Sequence, residues 1–311
     1  MHLIVSFAAP LAEAARVTLS SLVTPCLDRL LGDGVEVRRD RGDEDRLSMP
    51  HERALGTALG WTAADGCLPW AARAAAGHGI AVGQACWGLL TPVHWRIGSD
   101  GVHLADPDAL ALSETDSRSL FDAVQPLLSG DGFTSVWAGP LEWYAGHESL
   151  RGLACASIDR VIGRNVDAWV PRQATAKALR RLQNEVQMLL HDHPVNQARE
   201  AAGELPVNSF WLSGCGAAQT EAPDAVQLDQ RLRGPALRED WAAWREAWQS
   251  LDAQTIAPLL EGAARGEPVR LTLCGERGAV ELAPRPRAWW QRITASLRQA
   301  RPATHEVLAS L

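Results

Sequence analysis

Residues Thr175 to Gly216, TAKALRRLQNEVQMLLHDHPVNQAREAAGELPVNSFWLSGCG, decide how this chain is read. Leu179, Leu182, Val186, Leu189 and Leu190 recur at helical spacing, which predicts an amphipathic helix with one buried stripe. Pro194 disfavours the α conformation at His193 and cannot extend the hydrogen-bond ladder, so this helix is expected to stop between His191 and His193. Pro206 to Leu212 is short, apolar and β-prone, and Ser213-Gly214-Cys215-Gly216 follows with turn chemistry. Together they predict a buried strand leading into a tight loop.

Working towards the N-terminus, the period changes from helical to two. Val93, Trp95 and Ile97 alternate with His94 and Arg96, Ser99-Asp100-Gly101 supplies a turn, and Val102 and Leu104 flank His103. This predicts a β-hairpin with one apolar face and one face gathering His94, Arg96 and His103. Ser113 to Asp116 resembles a capping box with Asp in place of Glu, opening a helix through Leu120, Phe121, Val124, Leu127 and Leu128. Strands are expected at 133–137 and 141–144, and a short apolar segment of ambiguous type at 154–169. Residues 3–9 form a first strand, and 11–31 a helix broken near Pro25 with Leu19, Leu22, Val23 and Leu30 inward. The mixed-charge run Glu36 to Arg46 reads as a solvated loop. Ser48 is placed to cap a helix that Pro50 opens, and a second short helix covers 69–76.

Working towards the C-terminus, 217–224 reads as a linker or a mobile loop. A helix over 235–251 carries Trp241, Trp244, Trp248 and Leu251 on one face, another helix covers 256–264, and a hairpin joins 269–273 to 280–282. A final helix is expected to carry Trp289, Trp290, Ile293 and Leu297. The fold class is therefore α+β: a mixed sheet with packed helices and a helix-rich, Trp-rich C-terminal region. Three segments follow from these shifts: an N-terminal strand and helices (1–80), an α+β core (81–216), and a helical region with a hairpin (217–311).

Composition narrows the function. The net charge of −7 leaves no global basic field, which makes nucleic acid an unlikely partner. No apolar run approaches the length of a membrane span, and Met1-His2 leads straight into Leu3 to Ala9 without the basic n-region of a signal peptide, so no membrane association is expected. Six scattered cysteines without a CxxC pair read as reduced thiols of a cytoplasmic protein.

Three local patterns carry possible chemistry, each beside a structural alternative. His191-Asp192-His193 places two imidazoles close together; without a third ligand they serve equally as helix-end caps, and no metal site is expected. Cys215, between two glycines, could present a thiolate to a ligand or be a buried strand-end residue. Gln183, Asn184 and Glu185 could face a ligand or simply solvent. His191, His193 and Cys215 are the catalytic candidates. His94, Arg96, His103, Gln183, Asn184, Glu185, Asn208 and Ser213 are the ligand-binding candidates, expected to converge from the hairpin, the helix and the strand-loop. The Trp241, Trp244 and Trp248 stripe reads as core, with a homodimer face as the alternative.

Leu182 to Met188, His191 to Asn196 and Pro206 to Gly216, with Pro92-Val93-His94-Trp95 and Asp116 to Phe121, resemble a proteobacterial family of cofactor-independent phosphoglycerate mutase-like proteins, also described as RpfE-type regulatory proteins of pathogenicity factors. The resemblance spans most of the chain. Its mutase component rests on Asn208 to Gly214, which is similar to an Asn-x-x-Trp-x-x-Gly segment of archaeal mutases. Such mutases belong to the alkaline-phosphatase superfamily. The resemblance to them would imply an Asp and a Ser nucleophile on two divalent metals and a late Asp-His motif. This chain departs from that pattern: Leu3 to Pro10 offers no acidic ligand, and the last third holds a single histidine, His305. A two-metal centre needs several hard carboxylate and imidazole ligands held together. The expectation is a non-catalytic ligand-binding or regulatory protein without a cofactor, acting on a small molecule or a protein partner. The alternatives are a phosphoryl-transfer enzyme, with Arg96 binding phosphate, and an interaction subunit.

Overall fold

The structure is a computed structural model that describes residues 1–171, 177–222, 225–284 and 304–311. From the N-terminus the chain runs β1 (His2–Val5), α1 (Glu13–Ser20), α2 (Pro25–Asp33), β2 (Gly34–Arg41), α3 (Pro50–Ala58) and α4 (Trp70–Gly77). There follow β3 (Cys86–Val93), β4 (Trp95–Gly98), β5 (Gly101–Leu104), α5 (Glu114–Gly130), β6 (Thr134–Gly139), β7 (Glu142–Gly146) and α6 (Ile158–Val161). Then come α7 (Lys177–His191), α8 (Pro194–Ala201), β8 (Ser209–Ala217), β9 (Val226–Asp229), α9 (Arg233–Leu237), α10 (Trp241–Leu251), α11 (Ala257–Ala264), β10 (Arg270–Cys274), β11 (Gly278–Pro284) and α12 (Thr304–Ala309). The fold is α+β. The chain forms two compact units, one from residues 1–45, 49–60 and 221–311, the other from 46–48 and 61–220.

The first unit holds a mixed five-stranded sheet in the order β2-β11-β10-β1-β9. β1 runs parallel to β10 and β9, whereas β11 is antiparallel to β10 and β2. Leu3 and Val5 pack with Leu271, Leu273 and the helical residues Leu27, Leu30, Trp244 and Trp248. Ile4 faces the other way, with Cys274 and Ala279 against Ala54 and Leu55 of α3. Burial on both faces is why β1 reads as an unbroken apolar run.

Several expectations for this unit are corrected. The charged run at 36–46 is mostly β2, an edge strand whose charges suit the solvated rim of a sheet. Val23 is exposed in the break between α1 and α2. Trp244 and Trp248 are fully buried, Trp241 is half-buried, and Trp244 Nε1 donates to the Phe7 carbonyl at 3.1 Å. The stripe is core, because three large rings at i, i+3 and i+7 fill the layer above the sheet. Trp244 and Trp248 are therefore not available to form a homodimer face. The expected helix carrying Trp289, Trp290, Ile293 and Leu297 lies outside the described residues.

The second unit holds an antiparallel sheet in the order β6-β7-β3-β8, with the β4–β5 hairpin as a separate ribbon. On one face of the sheet, Leu120, Phe121 and Val124 of α5 pack with Leu179, Leu182 and Val186 of α7. On the other, the alanines Ala71, Ala72 and Ala75 let α4 approach Trp87 and Tyr144 closely. Ser113 Oγ caps α5 by accepting from Asp116 N at 3.0 Å. Two indoles share one acceptor here: Trp137 and Trp143 each donate to Ser117 Oγ at 3.0 Å.

Here too the sequence reading is amended. Ser48 does not cap a helix; its hydroxyl accepts from Gly66 N at 2.9 Å. Ile97 is 86% exposed, because the two-stranded hairpin has no layer beneath its outer end. The Gly-X-Gly segment is not a loop: Gly214 and Gly216 lie within β8. Gly214 takes φ +64°, and a Cβ there would sit 2.8 Å from the Ala71 backbone nitrogen. Glycine is required for α4 to lie against this strand.

Candidate functional site: a cleft between the hairpin and the end of a helix

Pro194 ends α7 and opens α8, where its fixed φ and missing N–H suit the first helical turn. The tight corner between these helices, the start of β8 and the root of the β4–β5 hairpin enclose a cleft of about 300 Å³ in the second unit. His94, Arg96, His191 and Asn208 all line it, as do Trp95, Ile97, Leu190, Asn196, Glu200 and Pro206.

Two side-chain amides build the walls. Asn208 Oδ1 accepts from Trp95 N at 2.7 Å, and its Nδ2 donates to Trp95 O at 2.9 Å. Asn196 is buried; its Nδ2 donates to Leu190 O and Val207 O at 2.8 and 2.7 Å, and its Oδ1 accepts from Val207 N at 2.9 Å. Every bond these amides make in this way goes to backbone, so they hold the helix end, the strand and the hairpin in register.

The ionisable groups are placed differently. His94 Nδ1 lies 2.8 Å from the Pro206 carbonyl. A carbonyl can only accept, so Nδ1 carries the proton and Nε2 is the acceptor of the neutral ring. His191, at the last position of α7, is exposed on the cleft wall. Arg96 and Glu200 are exposed and paired neither with each other nor with any other charge among the described residues. The wall therefore offers one guanidinium and one carboxylate, with the His191 imidazole and the Nε2 acceptor of His94 beside them. The Arg96 guanidinium suits recognition of a negatively charged group by charge-assisted hydrogen bonds.

The other expected site residues lie elsewhere. His103 opposes Arg96 across the hairpin, but its Nε2 contacts Asp100 at 3.0 Å, and this bond holds the Asp100 carboxyl below its ordinary range. Gln183 is buried and donates from Nε2 to Phe210 O at 3.3 Å, tying α7 to β8. Asn184 is exposed, and Glu185 pairs with Arg181 at 3.5 Å. Ser213 is buried in β8. His193 is the N-cap of α8, accepting from Val195 N at 3.3 Å, and burial pulls its pKa down.

Cys215 is buried with its Sγ 3.6 Å from that of Cys155. The hydrogen bond with Cys155 and burial push its pKa well above the ordinary thiol value, so it stays a thiol. Convergence thus occurs at the end of α7, one to two turns beyond the face the sequence suggested. Trp95, Asn196 and Glu200 were missed. A buried asparagine two residues after a helix-opening proline was the available signal.

The described residues do not fit a two-metal centre. Among those described, no group of three or more His, Cys, Asp or Glu side chains is arranged to hold a metal ion. The two buried carboxylates of the first unit are already satisfied: Asp229 pairs with Arg231 at 2.8 Å, and Asp252 accepts from Cys26 N and Leu27 N at 3.0 and 2.8 Å.

Comparison with known proteins adds one sequence likeness. The chain is similar to a phosphoglycerate mutase over part of its length. It is 27% identical over 114 residues to a probable 2,3-bisphosphoglycerate-independent phosphoglycerate mutase of Geobacter sulfurreducens. That stretch is 36% of this chain and spans 29% of the relative. Among solved structures, a cofactor-independent phosphoglycerate mutase from Thermoplasma acidophilum aligns over 91% of this chain and 89% of its own, at 13% identity and a TM-score of 0.36. The PH0037 protein of Pyrococcus horikoshii aligns over 91% and 87%, at 13% identity and a TM-score of 0.48. No family model matches the chain.

Proposed function

We propose that this chain is a non-catalytic ligand-binding or regulatory protein that keeps a segment similar to phosphoglycerate mutases and uses the cleft at the end of α7 to hold a small molecule bearing a negative group. The observation that carries this reading is the cleft wall: His94, Arg96 and His191 meet there, while Asn208 and Asn196 are consumed in building it. The wall residues recognise charge. Cys215, the catalytic candidate on β8, and Ser213, a ligand-binding candidate on the same strand, are buried and do not line it. The bacterial regulatory type implied by the sequence resemblance agrees with such a role, and six free thiols agree with a cytoplasmic setting. A thermal-shift screen of small anionic metabolites against the full chain and its Arg96→Ala variant tests the reading. Compounds that stabilise the parent but not the variant support it. Compounds that act equally on both, or none that act at all, count against it.

A second reading is phosphoryl transfer, and the 114-residue likeness to a probable mutase favours it. In that case Arg96 would bind phosphate and the exposed His191 imidazole would take part in the chemistry.

A further inference from the structure

We infer that the cleft is selective for a small zwitterion, a free α-amino acid, which deepens the ligand-binding reading above and rests on it. Arg96 and Glu200 line one cleft with opposite charges and no ion pair of their own. A ligand carrying only an anion would answer Arg96 and leave the Glu200 carboxylate of the same cleft unanswered. A ligand with a carboxylate and an ammonium group answers both.

The rest of the wall is consistent with that choice. Ile97 and Pro206 supply apolar surface for a side chain. His94 Nε2, the acceptor of the neutral ring when Nδ1 donates to Pro206 O, is a further partner for an ammonium proton. A volume of about 300 Å³ sits at the lower end for organic ligands and suits a molecule of amino-acid size.

The test is isothermal titration of the full chain with the twenty L-amino acids, the N-acetyl and carboxamide derivatives of the tightest binder, and inorganic phosphate and glycerate. The expected result is binding of at least one free amino acid that weakens at least tenfold on either N-acetylation or amidation. Arg96→Ala should abolish binding, and Glu200→Gln should bring the free and N-acetylated forms to within twofold of each other. Equal binding of free and N-acetylated forms by the parent chain overturns the inference. If phosphate or glycerate binds in an Arg96-dependent manner and no amino acid does, the zwitterion falls and the anion site stands. If no probe binds, both fall.

Discussion

Asn208 grips the backbone of Trp95 from both sides, its carboxamide oxygen 2.7 Å from Trp95 N and its nitrogen 2.9 Å from Trp95 O. The side chain thus stands in for a strand neighbour at the point where β3 gives way to the hairpin. Substituting Asn208→Ala removes both bonds and leaves a partly buried donor and acceptor without partners. The expected cost is about 1–3 kcal/mol of stability. Asn208→Asp keeps the acceptor but sets a carboxylate against the Trp95 carbonyl, so it should rescue stability incompletely. Urea unfolding of the two variants checks both statements.

Gly214→Ala should be strongly destabilising, because the new Cβ meets the Ala71 nitrogen at 2.8 Å and the residue sits at φ +64°. Left-handed strain costs about 1–2 kcal/mol, and overpacking adds about 1–3 kcal/mol. Gly203→Ala is the control, at φ +76° with open space around its Cβ position, and should show the strain alone. Comparing the denaturation midpoints of the two variants separates the two costs.

Burial lowers the His193 pKa below its ordinary 6.5. The folded state therefore favours the neutral ring, whose Nδ1 accepts from Val195 N. The unfolded chain binds the proton more readily, so this contribution to stability is complete above about pH 6.5 and is lost as pH falls through the lower folded value. His193→Asn, which preserves an N-capping acceptor, should flatten that part of the profile. Melting temperatures of both proteins at pH 7.5 and 5.5 provide the comparison. An unchanged slope in the variant would reject the assignment.

The raised pKa and burial of Cys215 predict that it resists alkylation in the folded chain. Brief iodoacetamide treatment followed by peptide mass spectrometry should leave Cys215 and Cys155 unmodified in buffer and modified in urea. Rapid labelling of Cys215 in buffer would restore it as a nucleophile candidate.

Elements with strong local periodicity were legible before any coordinates. Leu179 to Leu190 gave α7, Ser113 and its apolar run gave α5, and the alternation across 269–282 gave the β10–β11 hairpin. Elements whose identity depends on distant partners were not. β2 is charged on both faces and β9 is a four-residue VQLD segment; each is a strand because it completes a sheet made from the two ends of the chain. Pro194 was legible as a terminator and not as the start of α8, since both roles use the same missing N–H. The cleft was half legible. His94, Arg96, Asn208 and His191 were identifiable by residue type, but the helix corner that gathers them depends on Asn196, whose role is visible only in its three backbone bonds. Spacing placed the Trp stripe on one face without telling which way that face points.

The central claim is that the cleft binds and does not catalyse. The most direct test is a phosphoglycerate mutase assay on the purified chain with added Mn²⁺, alongside elemental analysis and the His191→Ala variant. The account predicts no turnover in either protein and no stoichiometric tightly bound metal. Mn²⁺-dependent turnover that disappears in His191→Ala would contradict it and establish the phosphoryl-transfer reading in its place.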